Sequence, residues 1–266
     1  MRWTRWPSPA PRPGRPGSRE TLVLIHGAAA HSGWWSGVAP ILAERRPVVT
    51  LDLSGHGASD HRSWYDGDVW AAEVAAVVDR TAGGSAVLVG HSMGGLVAIA
   101  TAARTPEAVA GLVIVDTRLP LRRPPGLPPL SAPVRLFASP EEALARFRLL
   151  PAETSAEPRL LDAVARAGLG ETAGGWRWRH HPRARHRFTT DRVRRDLAAV
   201  SAPIGYVYGD RSTMGGPDSL AWLEEVQGRR IERGVVPGAY HHVPLDRPVD
   251  CADEVESVVN RLRVRR

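Results

Sequence analysis

The sequence predicts an α/β fold: a mostly parallel sheet with helices on both faces and an inserted, mostly helical cap. Three observations carry this reading. Short, wholly apolar runs ending in glycine or aspartate alternate with stretches whose apolar residues recur at helical spacing. That rhythm belongs to a parallel sheet covered on both faces. One of the runs passes straight into a helix-forming stretch through Gly90-His91-Ser92-Met93-Gly94. Finally, the rhythm stops between residues 119 and 195 and then resumes, a gap far longer than a connection needs.

Taken in order, residues 1–19 are rich in arginine and carry Pro7, Pro9, Pro11, Pro13 and Pro16. Such a segment cannot sustain a ladder or a helix and is expected to drape loosely. Thr21-Leu22-Val23-Leu24-Ile25-His26, closed by Gly27, predicts a strand buried on both faces. A helical stretch at 38–45 leads to a second strand, Pro47-Val48-Val49-Thr50-Leu51-Asp52, and to the loop Leu53-Ser54-Gly55-His56-Gly57-Ala58-Ser59. Residues 70–79 repeat Ala and Val at helical spacing. Val87-Leu88-Val89 then enters the turn, and Leu96-Val97-Ala98-Ile99-Ala100 leaves it as a helix reaching about residue 104. Leu112-Val113-Ile114-Val115 ends at Asp116 as a further buried strand.

Residues 119–195 contain no buried-strand run. They hold Pro120, Pro124, Pro125, Pro128, Pro129 and Pro133, amphipathic stretches at 141–149 and 159–168, and the segment Gly174-Gly175-Trp176-Arg177-Trp178-Arg179. The sheet resumes with Ile204-Gly205-Tyr206-Val207-Tyr208-Gly209 and Gly234-Val235-Val236, and a last helix is expected over 249–263. The predicted organisation is an N-terminal segment (1–19), a core (20–118 and 196–266) and a cap (119–195).

Composition bounds the function. With 266 residues, 43% hydrophobic and 24% charged, the chain fits one large α/β domain or two small ones. The formal charge of +7 comes from arginine alone, because the sequence has no lysine. The single cysteine, Cys251, excludes an internal disulfide, and no Cys/His spacing suggests a metal site. The start of the chain lacks the apolar core of a signal peptide, and the apolar run at 96–103 is too short to span a bilayer. The expectation is a cytoplasmic protein with no cofactor, no membrane association and no nucleic-acid partner.

The turn at Ser92 has the G-x-S-x-G spacing of a nucleophile elbow. A strand reversing sharply into a helix crowds the residues two before and two after its apex, which Gly90 and Gly94 relieve, while Gly95 lets the helix lie close to the sheet. Ser92 is thereby presented at a strand end above a helix N-terminus, whose N–H groups favour an oxyanion. A serine hydroxyl needs a base, and the base needs an orienting acid. Reacting groups in a parallel sheet gather beyond the carboxyl ends of its strands. That rule points to His241 and His242 in Pro237-Gly238-Ala239-Tyr240-His241-His242, and to Asp116 and Asp210 as acids.

Five stretches together resemble the α/β-hydrolase superfamily: His26-Gly27, the 52–59 loop, the elbow, Gly238-Ala239-Tyr240-His241-His242, and Leu245-Asp246-Arg247-Pro248. His31-Ser32-Gly33-Trp34-Trp35, Arg146-Phe147-Arg148-Leu149 and the Gly174-Gly175-Trp176 segment are similar to those of lid-bearing serine hydrolases of actinobacterial type. The resemblance implies Ser92 as nucleophile, His241 as base, and the backbone N–H groups of Ala28 and Met93 as the oxyanion hole. The usual acid position of the family is occupied by Ser212; a variant takes the acid from the preceding strand end, which is Asp116, with Ser212 as helper. Asp210 stays as the alternative acid. Asp116 is preferred because it directly terminates an apolar run, whereas Asp210 has Arg211 beside it for an ordinary ion pair.

The expected function is a serine hydrolase cleaving an ester-like bond (carboxylic ester, thioester or lactone) of a small molecule through an acyl-enzyme. Trp34, Trp35 and Trp176 are candidate pocket residues, with plain packing as the competing role. His26, His56 and Asp52 read as loop-stabilising hydrogen bonders. The rival readings are a non-catalytic small-molecule binder of the same fold, a cofactor-free haloperoxidase or C–C bond hydrolase, and a nucleic-acid surface along the arginine- and tryptophan-rich segment at 176–195.

Overall fold

A computed structural model of the chain describes residues 1–7, 20–121, 134–185 and 187–264. Of the prolines expected to break order, Pro9, Pro11, Pro13, Pro16, Pro124, Pro125, Pro128, Pro129 and Pro133 lie outside the described residues. The strands in chain order are β1 (Arg2–Trp6), β2 (Thr21–Ile25), β3 (Val48–Asp52), β4 (Ala86–His91), β5 (Val109–Val115), β6 (Leu169–Thr172), β7 (Gly175–Trp178), β8 (Ile204–Gly209) and β9 (Glu232–Val236). The helices are α1 (Ala39–Ala43), α2 (Gly67–Ala82), α3 (Met93–Arg104), α4 (Pro140–Leu144), α5 (Pro158–Ala167), α6 (Thr190–Ala198), α7 (Pro217–Gln227), α8 (Val243–Asp246) and α9 (Pro248–Val264).

Seven strands form one sheet in the order β1-β3-β2-β4-β5-β8-β9. Every pairing is parallel except that of β1 with β3. Alternate side chains of the central strands serve opposite cores, the period-two consequence of the pleat. Leu22 and Leu24 join the residues under α1 and α9, while Val23 and Ile25 join those under α2, α3, α6 and α7. Burial on both faces is why these strands read as unbroken apolar runs.

The first residues of the N-terminal segment form a strand. The prolines begin only at position 7, so Arg2–Trp6 is free to extend along β3, with Arg2 opposite Asp52 and Trp6 opposite Val48. Trp6 Nε1 donates to Thr50 Oγ1 (3.1 Å), and the Arg2 N–H donates to Ser59 Oγ (2.7 Å).

Between β5 and β8 the chain lies over the carboxyl ends of the strands. His31 Nε2 donates to the Val164 carbonyl (2.9 Å), the His181 N–H to Gly55 O (2.7 Å), and His242 Nε2 to Pro151 O (2.8 Å). This segment is less helical than the sequence reading has it. Besides α4 and α5 it contains the β6–β7 hairpin, Leu169 opposite Trp178 and Thr172 opposite Gly175. The alternation Trp176-Arg177-Trp178 is strand-like, and Gly175 supplies the positive φ (116°) that opens the second strand. The boundary expected between residues 195 and 196 falls inside α6, whose Val193 and Leu197 belong to the main core. Among the described residues no helix is long and apolar enough to cross a membrane.

One buried ion pair ties the sheet's α1 side together. Arg46 is fully enclosed and makes a two-pronged contact with Glu256 of α9, with both N–O distances 2.7 Å, plus a bond to Asn260 Oδ1 (3.0 Å). Removing one charge from such a pair leaves the other buried without compensation. Glu256→Gln is therefore expected to lower unfolding free energy by about 3 kcal/mol, read as a fall in the urea midpoint. A variant as stable as the parent would show that Arg46 finds other acceptors.

Candidate active site

The elbow's geometry follows from its glycines. β4 ends at His91, and Ser92 takes φ 53° and ψ −118° before Met93 opens α3. A Cβ on Gly90 would lie 2.3 Å from Gly94 O, and one on Gly94 would lie 2.4 Å from Ile25 O. On Gly95 it would meet Thr117 Oγ1 at 2.3 Å. The first turn of α3 thus rests on the end of β2 and against β5, at distances only glycine permits. Gly27 closes the arrangement from the other side, since a Cβ there would stand 3.0 Å from His91 Nδ1 and 3.4 Å from Ser92 Cβ. The Gly27-Ala28 turn therefore runs alongside Ser92. Met93, as the first helical residue, has one of the N–H groups that a helix leaves unpaired at its start.

Asp116 sits immediately past β5 with φ 48° and no exposed surface. Its Oδ2 receives His241 Nδ1 at 2.7 Å and Ser212 Oγ at 2.7 Å, along with the Gly215 N–H at 3.2 Å. Its Oδ1 accepts from the Gly209 N–H at 3.2 Å. Burial pushes the carboxyl up to about 6, and the Ser212 hydroxyl leads the contacts that oppose that rise. The group is thus mostly ionised at neutral pH. Burial also holds His241 well below the usual histidine range, so its imidazole is neutral and Nε2 is free to take a proton. Ser92 is partly exposed. Its hydroxyl makes no hydrogen bond among the described residues, a state common before substrate aligns the groups.

Of the two candidate acids, only Asp116 touches His241. Asp210 is exposed and accepts from the Gly238 N–H (2.7 Å). The Asp210–Arg211 ion pair expected from sequence is replaced by a different contact, Arg211 lying 5.9 Å over the Tyr240 ring. Ser212 adds a second function to its bond with Asp116, for its Oγ also accepts from the Met214 and Gly215 N–H groups (3.0 and 3.2 Å).

The tryptophans separate by position. Trp34 is half-buried, 6.5 Å from the His91 ring and 5.4 Å from that of His242. Trp35 is fully enclosed in the core beneath α1 and α9 and is corrected from pocket wall to packing residue. It sits in a 3-10 turn (Ser32–Trp35), which aims neighbouring side chains in different directions. Trp176 packs with Phe137 and Leu169 in the hairpin's small core, its backbone bridging Phe137. His26 and Asp52 hold loops: His26 accepts from Leu53 N (3.1 Å), and Asp52 from Ser32 N (2.6 Å) and Ala58 N (2.8 Å). His56 is buried against His26 and Trp70.

Sequence reasoning missed two residues that hold the loop of His241. His91 Nε2 donates to the His241 carbonyl at 2.9 Å, tying the histidine loop to the elbow. Asp246 accepts from the Tyr240 N–H (2.9 Å), the Ser155 N–H (2.9 Å) and Thr154 Oγ1. The signal for Asp246 was its place in the Leu245-Asp246-Arg247-Pro248 stretch; for His91 it was adjacency to Ser92. Among the described residues no cluster of His, Cys, Asp or Glu could hold a metal ion.

Comparison with known proteins bears on the fold and the family. Esterase Rv0045c of Mycobacterium tuberculosis is 27% identical over 96% of this chain and 85% of its own length. Its solved structure superposes with a TM-score of 0.76 at 25% identity, covering 92% of this chain and 86% of that one. The 2-(acetamidomethylene)succinate hydrolase of Mesorhizobium japonicum is 28% identical over 85% of this chain and 83% of its own. Lipase LipV of Mycobacterium tuberculosis is 37% identical, but the match spans only 40% of either chain. The chain likewise spans about a third of the sn-1-specific diacylglycerol lipase ABHD11 of Danio rerio (32% of its length, at 35% identity). The thioesterase domain from the curacin biosynthetic pathway, at 24% identity, shares the fold with a TM-score of 0.74 over 97% of this chain and 94% of that one. The family model described as the alpha/beta hydrolase family matches residues 22–254, a span that runs from β2 past the histidine loop, and the chain belongs to that family.

Proposed function

We propose that this protein is a serine hydrolase that cleaves an ester-like bond of a small molecule through an acyl-enzyme. The observation that carries the reading is the buried 2.7 Å contact between Asp116 and His241 Nδ1, set at the strand ends beside the Ser92 elbow. With Nδ1 bound to the acid, His241 offers Nε2 as the base. Ser92 Oγ attacks the carbonyl carbon and its proton passes to Nε2. The carbonyl oxygen becomes an oxyanion facing the N–H groups of Ala28 and Met93, and fixed donors of this kind contribute several kcal/mol to an acyl-transfer transition state. Collapse of the intermediate expels the alcohol or thiol, which takes the proton back from His241. Water, deprotonated by the same nitrogen, then attacks the acyl-enzyme, releasing the acid and restoring Ser92. The names of the esterase and lipases to which the chain is similar support ester chemistry.

A fluorophosphonate probe is expected to label Ser92, and Ser92→Ala is expected to lose both the label and p-nitrophenyl acetate hydrolysis. Asp116→Asn should fold and yet lower kcat by about 10³-fold or more, because a neutral amide favours neither the imidazolium nor the right tautomer. Asp210→Asn should keep most of the rate. Stoichiometric labelling at another serine, or a crippled Asp210→Asn beside an active Asp116→Asn, overturns the assignment.

The raised Asp116 carboxyl also sets a pH dependence. As pH falls through about 6 the carboxylate takes up its proton and can no longer hold the imidazolium, so kcat/KM should fall on that acid limb. The Ser212 hydroxyl opposes the upward shift. Ser212→Ala should therefore move the limb to higher pH; a limb that stays in place, or moves down, would remove Ser212 from any role in tuning the acid.

A further inference from the structure

Two histidines above the strand ends, the buried His31 and the half-buried His180, lie outside the proposed chemistry. A cavity of about 30 Å³ separates the Ala29-Ala30 turn and Gly57 from the overlying hairpin, with His31, Trp34, Arg179 and His180 in its wall. Its position joins it to the site. Ala29 follows the oxyanion residue Ala28, and the Trp34 ring that lines it also lies against His91 and His242.

We propose that Arg179 and His180 form a subsite for a carboxylate carried by the substrate. This rests on the hydrolase reading and names the substrate class: esters of small dicarboxylic or otherwise acid-bearing molecules. Size is the first argument. The space has room for one or two waters or a carboxylate group.

Charge is the second argument. Arg179 is the one formally charged side chain in the described wall, because burial lowers His31 and brings His180 down to about 4, leaving both neutral. The acid felt at His31, Asp52, has its two oxygens engaged by Ser32 N and Ala58 N. Arg185 adds positive charge beside His180. The third argument is that Arg179, though exposed, is held in place. Arg179 is held by its own strand end, its N–H on Gly168 O (2.8 Å) and Nε on Leu169 O (2.7 Å), with the side chain lying across Gly170. The two remaining guanidinium nitrogens are a fork that matches a carboxylate, while neutral His180 can donate one more bond.

The test compares p-nitrophenyl butyrate with mono-p-nitrophenyl succinate, esters of equal chain length that differ by a terminal carboxylate. Wild type should favour the succinate ester in kcat/KM by about tenfold or more, chiefly through KM. Arg179→Gln should abolish that ratio, and Arg179→Lys should retain part of it because the charge remains. A wild-type ratio near one, or a ratio that survives Arg179→Gln, overturns the subsite while leaving the hydrolase reading intact. Turnover of neither ester, with no fluorophosphonate label on Ser92, sinks the hydrolase reading instead. Calorimetric titration with monomethyl succinate then still decides the subsite: binding by wild type that is lost in Arg179→Gln supports it, and equal binding or none overturns it.

Discussion

The backbone reversal at Ser92 is the constraint on which the site depends. A non-glycine residue at φ 53° and ψ −118° costs on the order of 1–3 kcal/mol and persists only when its surroundings fix it. Here the sheet does so by carrying its ladder beyond the last paired residues. The Ser92 N–H donates to Val115 O (2.9 Å), and the Ser92 carbonyl accepts from Thr117 Oγ1 (2.8 Å) and the Gly95 N–H (3.0 Å). One strand further on, the Asp116 N–H donates to Val207 O (2.8 Å), and then the Asp210 N–H to Val236 O (3.2 Å). Each bond aligns the next strand end with the last. Ser92, Asp116 and Asp210 therefore stand in a row along one edge of the sheet, and what each can reach is decided by local turns.

The histidine comes from beyond the last strand and has no ladder to hold it. Its loop is fastened instead at two points, by His91 on the carbonyl of His241 and by Asp246 on the N–H of Tyr240. The same Asp246 carboxylate grips Thr154 and Ser155, so the segment overlying the strand ends and the His241 loop share one anchor. Burial then works in the site's favour from both sides. It keeps His241 neutral and able to accept a proton, while several donors keep Asp116 mostly ionised despite its enclosure.

How legible each part was in the sequence depended on how many faces it buries. β2 to β5 and β8 are enclosed on both sides, so each is an apolar run that periodicity alone identifies. The elbow was legible because three glycines are demanded by carbonyl and side-chain contacts under 2.5 Å. The β6–β7 hairpin was not, because it lies at the surface and its exposed residues blur the pattern. α6 and α7 went unread for a related reason, with only a few residues of each facing the core. Trp34 and Trp35 were indistinguishable in sequence; the 3-10 turn sends one toward the histidines and the other into the core.

The position of the proposed acid follows from what can share the space beside His241. The end of β5 meets the imidazole through Asp116, and the end of β8 meets the histidine loop, the Arg211 N–H on Ala239 O (3.0 Å). Ser212 Oγ stands 2.7 Å from Asp116 Oδ2, so a carboxylate on that residue would set two negative charges within hydrogen-bond distance in a buried site. A hydroxyl there avoids the repulsion and donates to the acid. Gly215 makes the complementary accommodation, since a Cβ would lie 2.6 Å from Asp116 Oδ1 and hinder the approach of its own N–H to the carboxylate. Serine at 212, glycine at 215 and aspartate at 116 are thus one choice expressed at three positions. Each is uninformative alone in the sequence, and together they place the carboxylate just past the end of β5.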